Sequence, residues 1–425
     1  MSLPAHRSGL RAVLLGLIPL LMVGASLVSA PAQAQRVSPD FFGMHDANIA
    51  GGSVPGVTVG SVRLWDTGTS WRQIEKRPGR FDFRALDKAV NTARDAGLRP
   101  MIVLGQTPRF HASKPKAAGW YGKGASSMPT KISAWKSYVT KVAKRYKTSV
   151  DYQIWNEPNV VGFWSGSVSQ MAQLTAVGSA AINKAVGRTA TIVAPSFPLR
   201  LASQRAWFKK YWASKVGGKG IAAMVDVVSV NPYPLANQAP EASVTLLSLA
   251  KRALPQQARR KPMWNTEINY GLRGGATAKQ IPDARQAAYV ARTLLLNAGA
   301  SVKRVYWYSW RINGIANTHL VENDGTTLTP GGRAWEVARS WIVDADLTSC
   351  AVTGTGQLKG LYTCTVRVGA DEVRRIYWKP TGSAVQVTTS ATTTSWTDLG
   401  GTTTTHVGPT TLTVGGAPVM VSSLT

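Results

Sequence analysis

From Phe41 onward, short apolar runs alternate with longer amphipathic stretches as far as about residue 343. The runs are Phe41 to His45, Ser61 to Asp66, Pro100 to Gly105 and Val150 to Glu157, then Thr191 to Phe197, Val225 to Tyr233, Pro262 to Glu267 and Arg304 to Trp310. Between them, Arg84 to Ala96 places Leu86, Ala89, Val90, Ala93 and Ala96 on one side, and Gly97 supplies a stop. Lys131 to Tyr146, Ser169 to Ala185 (followed by Gly187) and Arg285 to Leu296 repeat the helical pattern. Strand, helix, glycine, strand is the βαβ cadence, and eight strands close a parallel barrel. An open doubly wound sheet is the competing arrangement, but no GxGxxG follows an early strand to mark its switch point. The fold class expected is α/β, a (β/α)8 TIM barrel over residues 35–343.

Near residue 344 the pattern changes. Glu372 to Trp378, Val385 to Thr389, Thr411 to Val414 and Pro418 to Val421 are strand-like runs broken by Gly and Pro. The segment from Thr381 to Thr425 is rich in threonine and has Asp398 as its one acid. Residues 344–425 are therefore expected to form a small antiparallel, β-sandwich-like accessory domain, with threonines on half-exposed faces. Both cysteines, Cys350 and Cys364, fall in it and are expected to pair.

At the other end, Arg7 and Arg11 precede the apolar run Ala12 to Val28, and Ala32-Gln33-Ala34 is a small-residue cleavage pattern. This predicts a signal peptide over 1–34, secretion to an extracellular or cell-wall location, and no stable membrane insertion once it is removed. Of the 425 residues 44% are hydrophobic, which excludes a disordered tail protein. With two cysteines and five histidines there is no conventional zinc cluster, so no metal is expected. The net charge of +28 favours acidic polymers and surfaces. Nucleic acid is not an expected partner, because no reader motif accompanies the charge.

In a barrel of this kind, side chains at the C-terminal ends of the strands converge on one rim. Glu157 ends the fourth run and Glu267 the seventh. Two facing carboxylates suit cleavage of an acetal, because one must be a neutral acid while the other is charged. Glu157 fits the acid/base and Glu267 the nucleophile, and no organic cofactor is needed. A separation of roughly 5 Å would give retention, and roughly 6.5 to 9.5 Å inversion. Asn156 offers a donor and an acceptor to a sugar hydroxyl. Arg63 is expected to keep Glu267 ionised by lowering its pKa, and Tyr233 to donate a hydrogen bond to it. Trp310, ending the eighth run, is expected as an apolar floor under a sugar ring. Asn231, before Pro232, either joins the site or only terminates its strand.

On these residues the sequence resembles the clan A retaining glycoside hydrolases, and within them family 39. The resemblance rests on Trp155-Asn156-Glu157-Pro158-Asn159 and Thr266-Glu267, on Trp71-Arg72-Gln73-Ile74-Glu75 and Gly79-Arg80-Phe81-Asp82-Phe83, and on Val230-Asn231-Pro232-Tyr233-Pro234 and Trp307-Tyr308-Ser309-Trp310. It covers roughly 38–343, and its nearest subdivision looks like bacterial endoglycosidases that trim exopolysaccharide. It implies Glu157 as acid/base, Glu267 as nucleophile, net retention, and bracing of the nucleophile by Arg63 and Tyr233. One departure is Asn231, where many clan members carry histidine.

Three insertions flank the rim. Thr107 to Ser127 holds His111 and Trp120, Asn159 to Gly166 holds Phe163 and Trp164, and Arg311 to Asp324 holds Asn313 and His319. Read as sugar subsites, they predict an open groove and endo action on an extracellular polysaccharide or oligosaccharide, with an anionic polymer favoured by the charge. An exo-acting β-glycosidase such as a β-xylosidase is the enzyme alternative, and a catalytically silent carbohydrate-binding barrel the alternative of another class. The sequence does not fix the oligomeric state.

Overall fold

Eight parallel strands form the barrel: β1 (Phe42–His45), β2 (Ser61–Leu64), β3 (Arg99–Leu104), β4 (Asp151–Ile154), β5 (Ile192–Val193), β6 (Val228–Val230), β7 (Met263–Ile268) and β8 (Val302–Tyr308). Each lies within or overlaps one of the eight apolar runs. Around the ring the order is β6-β7-β8-β1-β2-β3-β4-β5. The seam between β5 and β6 is closed by single bridges, where the Ala194 N–H donates to the Val227 carbonyl (3.0 Å) and the Asn231 N–H to the Phe197 carbonyl (2.9 Å). This computed structural model describes residues 34–271, 281–311, 316 and 318–425. The expected signal peptide, apart from Ala34, and Asn313 lie outside them.

The helices cover the outside: α1 (Arg84–Asp95), α2 (Ile132–Tyr146), α3 (Val168–Val186), α4 (Ala202–Ala213), α5 (Glu241–Ala253), α6 (Asp283–Gly299) and α7 (Pro330–Ile342). α1 buries Leu86, Ala89, Val90 and Ala93, the stripe its sequence period requires. A capping box between Ser167 and Gln170 starts α3, and Gly187, at φ +85°, ends it. Strands buried on both faces read as apolar runs because helices cover one side and the barrel interior the other. Inside, Met101, Val193, Val227, Trp264 and Tyr306 form a separate apolar plug. Above it the inward positions turn polar, with Arg63, Gln153, Ser229 and Thr266 all buried. The cavity mouth is thus set on a packed floor, and the barrel is no pore.

The C-terminal segment adds β9 (Asp346–Val352), β10 (Tyr362–Val368), β11 (Glu372–Trp378), β12 (Val385–Thr388), β13 (Thr393–Thr397), β14 (Thr403–Thr405), β15 (Thr411–Val414) and β16 (Val419–Leu424). β9, β10, β11, β16, β13 and β14 make an antiparallel sheet, and β12 pairs with β15 as a separate ribbon. The extended pair Gln35–Arg36 joins the outer edge beside β9, so the sheet recruits chain from before the barrel. One face, with Cys364, Val366, Ile376 and Trp378, merges into the barrel's outer core, and Trp378 donates to Glu241 on α5 (3.1 Å).

Cys350 and Cys364 stand opposite each other in β9 and β10 and form a disulfide. With 14 residues of separation, chain entropy gives it a worth of about 3 kcal/mol. A Cys350→Ala/Cys364→Ala protein should therefore unfold at clearly lower denaturant, and an unchanged midpoint would contradict that account. Among the described residues no helix is long and apolar enough to cross a membrane.

Candidate active site

Glu267 lies inside β7 at an irregularity. Asn265 stands opposite Val305 and Ile268 opposite Trp307, so three steps on β7 match two on β8. That extra residue re-aims the side chain, as bulges beside active sites do. Arg63 of β2 donates from Nη1 to Glu267 Oε2 (2.7 Å), and the Tyr233 hydroxyl donates to Oε1 (2.8 Å). The guanidinium, fully buried, is itself fixed by Gln153 (2.9 Å) and by the Asn156 side-chain carbonyl (2.6 Å).

Glu157 sits three residues past β4, with φ +45°, and Trp155 before it has φ +66°. Left-handed backbone at non-glycine residues is costly and clusters at functional sites. It turns the chain so that Glu157 meets Asn231, whose amide donates to Oε1 (2.8 Å). Asn231 is held in turn by the Thr266 hydroxyl (2.8 Å), and the Glu157 N–H donates to Ser196 (3.3 Å). Ser196 also donates to the Asn156 carbonyl oxygen (2.9 Å). The amide nitrogen of Asn156 is thereby left with no partner among the described residues. Asn231 is thus a member of the site and not only a strand terminator.

Both carboxyl groups are pushed above the usual carboxylate range, chiefly by burial. For Glu267, Arg63 pulls the other way while Glu157 and Asp66 push further up. For Glu157 the opposing influences are the Asn231 amide and the charges of Arg200 and Arg63. The expectation that Arg63 would lower the Glu267 pKa is thus corrected: desolvation outweighs it, and the net shift is upward. The two groups titrate as a pair. Arg63 and Tyr233 both stabilise a charge on Glu267, whereas the one side-chain hydrogen bond to the Glu157 carboxyl comes from the neutral Asn231 amide.

Both open into one cavity of about 440 Å³, within the range of small-molecule sites. Trp65, Trp120, Tyr121 and Phe163 wall one side, with the Trp120 ring edge-on to Phe163 at 4.4 Å. Tyr233, Tyr308, Asp66 and Arg200 complete it. Trp120 therefore lies where the sequence put it. Asp66, Tyr308 and Arg200 were missed. Tyr308 ends β8 and Asp66 lies two residues past β2, and the rim rule that selected the glutamates applies equally to them. Arg200 follows β5 in a loop, where periodicity is silent.

Three expected substrate contacts lie elsewhere. His111 bonds Glu75 (3.1 Å) and stacks on Trp71 (5.5 Å), so it anchors its loop from behind. Trp310 is buried, with Arg311 over its ring at 4.4 Å, and Tyr308 supplies the β8 wall instead. Trp164 is buried, packs edge-on against Trp155 (5.0 Å) and donates to the Ser167 carbonyl (3.1 Å). In each case an aromatic ring satisfied packing before it met solvent. Trp164→Ala should accordingly cost about 3 to 5 kcal/mol of stability. A loss of oligosaccharide binding with stability intact would reverse this assignment.

The model of Glycosyl hydrolases family 39 matches residues 61–313, more than half of the chain. A β-xylosidase of Geobacillus stearothermophilus is 26% identical over 98 residues, covering 21% of this chain and 19% of that protein's length. Among solved structures, a family 39 glycoside hydrolase from Bacteroides cellulosilyticus WH2 superimposes with a TM-score of 0.68 at 16% identity, covering 91% of this chain and 81% of that one. A family 39 β-xylosidase from Caulobacter crescentus gives 0.63 at 16% identity, with coverage of 92% and 98%. The barrel, the paired glutamates and the family match agree: the chain belongs to glycosyl hydrolases family 39.

Proposed function

We propose that the protein is an exo-acting β-glycosidase of the β-xylosidase type, with Glu157 as acid/base and Glu267 as nucleophile. This replaces the endo-acting, exopolysaccharide-trimming expectation. A β-xylosidase of Geobacillus stearothermophilus and a family 39 β-xylosidase of Caulobacter crescentus are among the proteins this chain resembles. The observation that carries the two roles is the asymmetry of the pair: Arg63 and Tyr233 on Glu267, a neutral amide on Glu157.

In the first step ionised Glu267 attacks the anomeric carbon as the bond to the departing oxygen breaks, and that oxygen takes the Glu157 proton. In the second, water gives a proton to Glu157 and its oxygen attacks the same carbon, releasing Glu267. Two inversions leave the configuration retained. The Asn156 amide nitrogen supplies a donor for a hydroxyl next to the reacting carbon. Secretion fits the basic, cleavable leader and the disulfide, with a carbohydrate rather than a nucleic acid as partner.

The test is product analysis on β-1,4-xylo-oligosaccharides beside aryl β-xylosides. Single β-configured sugars leaving from the non-reducing end are expected. A ladder of mixed oligomers would overturn exo action, and an α-product at early times would overturn retention.

A further inference from the structure

The cavity holds charge of both signs, and they are not evenly placed. Its carboxylates are Glu157, Glu267 and Asp66, and Arg200 is a cation in its wall. Arg63 is no second free cation, because it is fully buried and spent on Glu267, Gln153 and Asn156. The Arg200 side chain, by contrast, has no hydrogen bond or ion pair among the described residues, though it lines the cavity. Its charge is felt by Glu157, the group placed to protonate the departing oxygen.

Asp66 follows β2, three strands round the ring from β5, which Arg200 follows. Its carboxylate accepts from the hydroxyls of Tyr121 and Tyr308 (3.3 Å for the latter) and faces His45 at 3.6 Å. Burial and Arg63 keep that histidine neutral, so it does not cancel the charge. Asp66 and both its tyrosines interact with Glu267, the group that attacks the sugar being released, and Asp66 acts on Glu157 too, where it is the smallest of the named influences. A carboxylated sugar bound there would meet Asp66 and Glu267 together, and like charges in a desolvated site repel strongly.

We propose that Arg200 is a specificity residue that selects a carboxylate on the leaving-group side, while Asp66 confines the released sugar to neutral ones. The substrate class is a neutral β-linked glycosyl unit attached to a uronic-acid-bearing acceptor. A guanidinium presents a planar pair of donors that matches a carboxylate, and an unpaired one beside the acid is placed to grip it. The protein's charge of +28 favours encounter with such an acidic acceptor. The inference rests on the exo-glycosidase reading and adds the charge of the acceptor to it.

The test uses matched pairs of aryl β-glycosides, 4-nitrophenyl and 3-carboxy-4-nitrophenyl, on xylose, glucose and galactose. On whichever sugar is cleaved, kcat/KM should favour the carboxylated leaving group by about tenfold at low salt, and less as salt rises. In Arg200→Gln that ratio should fall to about one. A ratio near one in the unaltered enzyme, or a preference that survives Arg200→Gln, overturns this inference and leaves the exo reading standing. Cleavage of no pair at all would sink both.

Discussion

Glu267→Gln is expected to lower kcat on every aryl β-glycoside the enzyme accepts by about 10⁴-fold or more, because no group remains to form the covalent bond. Glu157→Gln should behave differently. General acid–base help is worth about 10² to 10⁴-fold, and it matters least where the departing phenol is already a weak base. Glu157→Gln should therefore be severe on a sugar–sugar bond, and milder on a 2,4-dinitrophenyl glycoside in the bond-breaking step. In that variant a small anion such as azide should restore turnover by attacking the covalent intermediate, since it needs no general base. The product would be the β-glycosyl azide. In Glu267→Gln, azide would give the opposite anomer if it reacted at all. Equal losses across leaving groups in both variants, or azide products of swapped configuration, would exchange or remove the assigned roles. Neither substitution removes Arg63 or Asn231, so both proteins should keep their circular dichroism and bind substrate.

The ring of eight strands was legible because barrel strands are buried on both faces and stand out as apolar runs between amphipathic helices. The bulge at Glu267 and the left-handed backbone at Trp155 and Glu157 were not. They are local departures from period, and Pro158 after Glu157 argues for extended backbone there. The rim rule found Arg63, Glu157, Tyr233 and Glu267, whose side chains point where strand ends point. It failed for Trp310, and the reading of the insertions as subsites failed for Trp164, because a large ring serves equally well as packing and composition does not distinguish the two. Asp66 was passed over beside an evident cation, although its run ended at it. In the C-terminal segment β9, β10, β13 and β14 were missed. Threonine and arginine at half-exposed positions blur the alternation that marks a strand, as in Arg367 and Thr365 of β10.

Arg63→Met should be the most damaging change away from the two glutamates, and it should act on activity and stability through one cause. It leaves Oε2 of Glu267 and the Gln153 side-chain oxygen without their donor, and the Asn156 side-chain carbonyl with Ser196 alone. Breaking one side of a buried ion pair costs about 3 to 5 kcal/mol. Activity against pH should be bell-shaped, lost on the acid side as Glu267 takes a proton and on the alkaline side as Glu157 gives one up. Burial already raises Glu267, and Arg63 is the first influence opposing it. Without Arg63 the Glu267 pKa rises further, so the acid limb should move up by about 1 to 3 pH units and the bell narrow. Stability must follow the same sign. A carboxyl whose folded pKa lies above its unfolded value favours the fold when protonated, and that advantage is lost as pH rises through the folded value. The gap between Arg63→Met and the unaltered enzyme should therefore be smaller near pH 5 than near pH 8. Adding Glu267→Gln to Arg63→Met removes the stranded charge and should recover part of the lost stability. An acid limb that stays in place, or a stability gap that widens toward low pH, would show that Arg63 does not hold the nucleophile ionised.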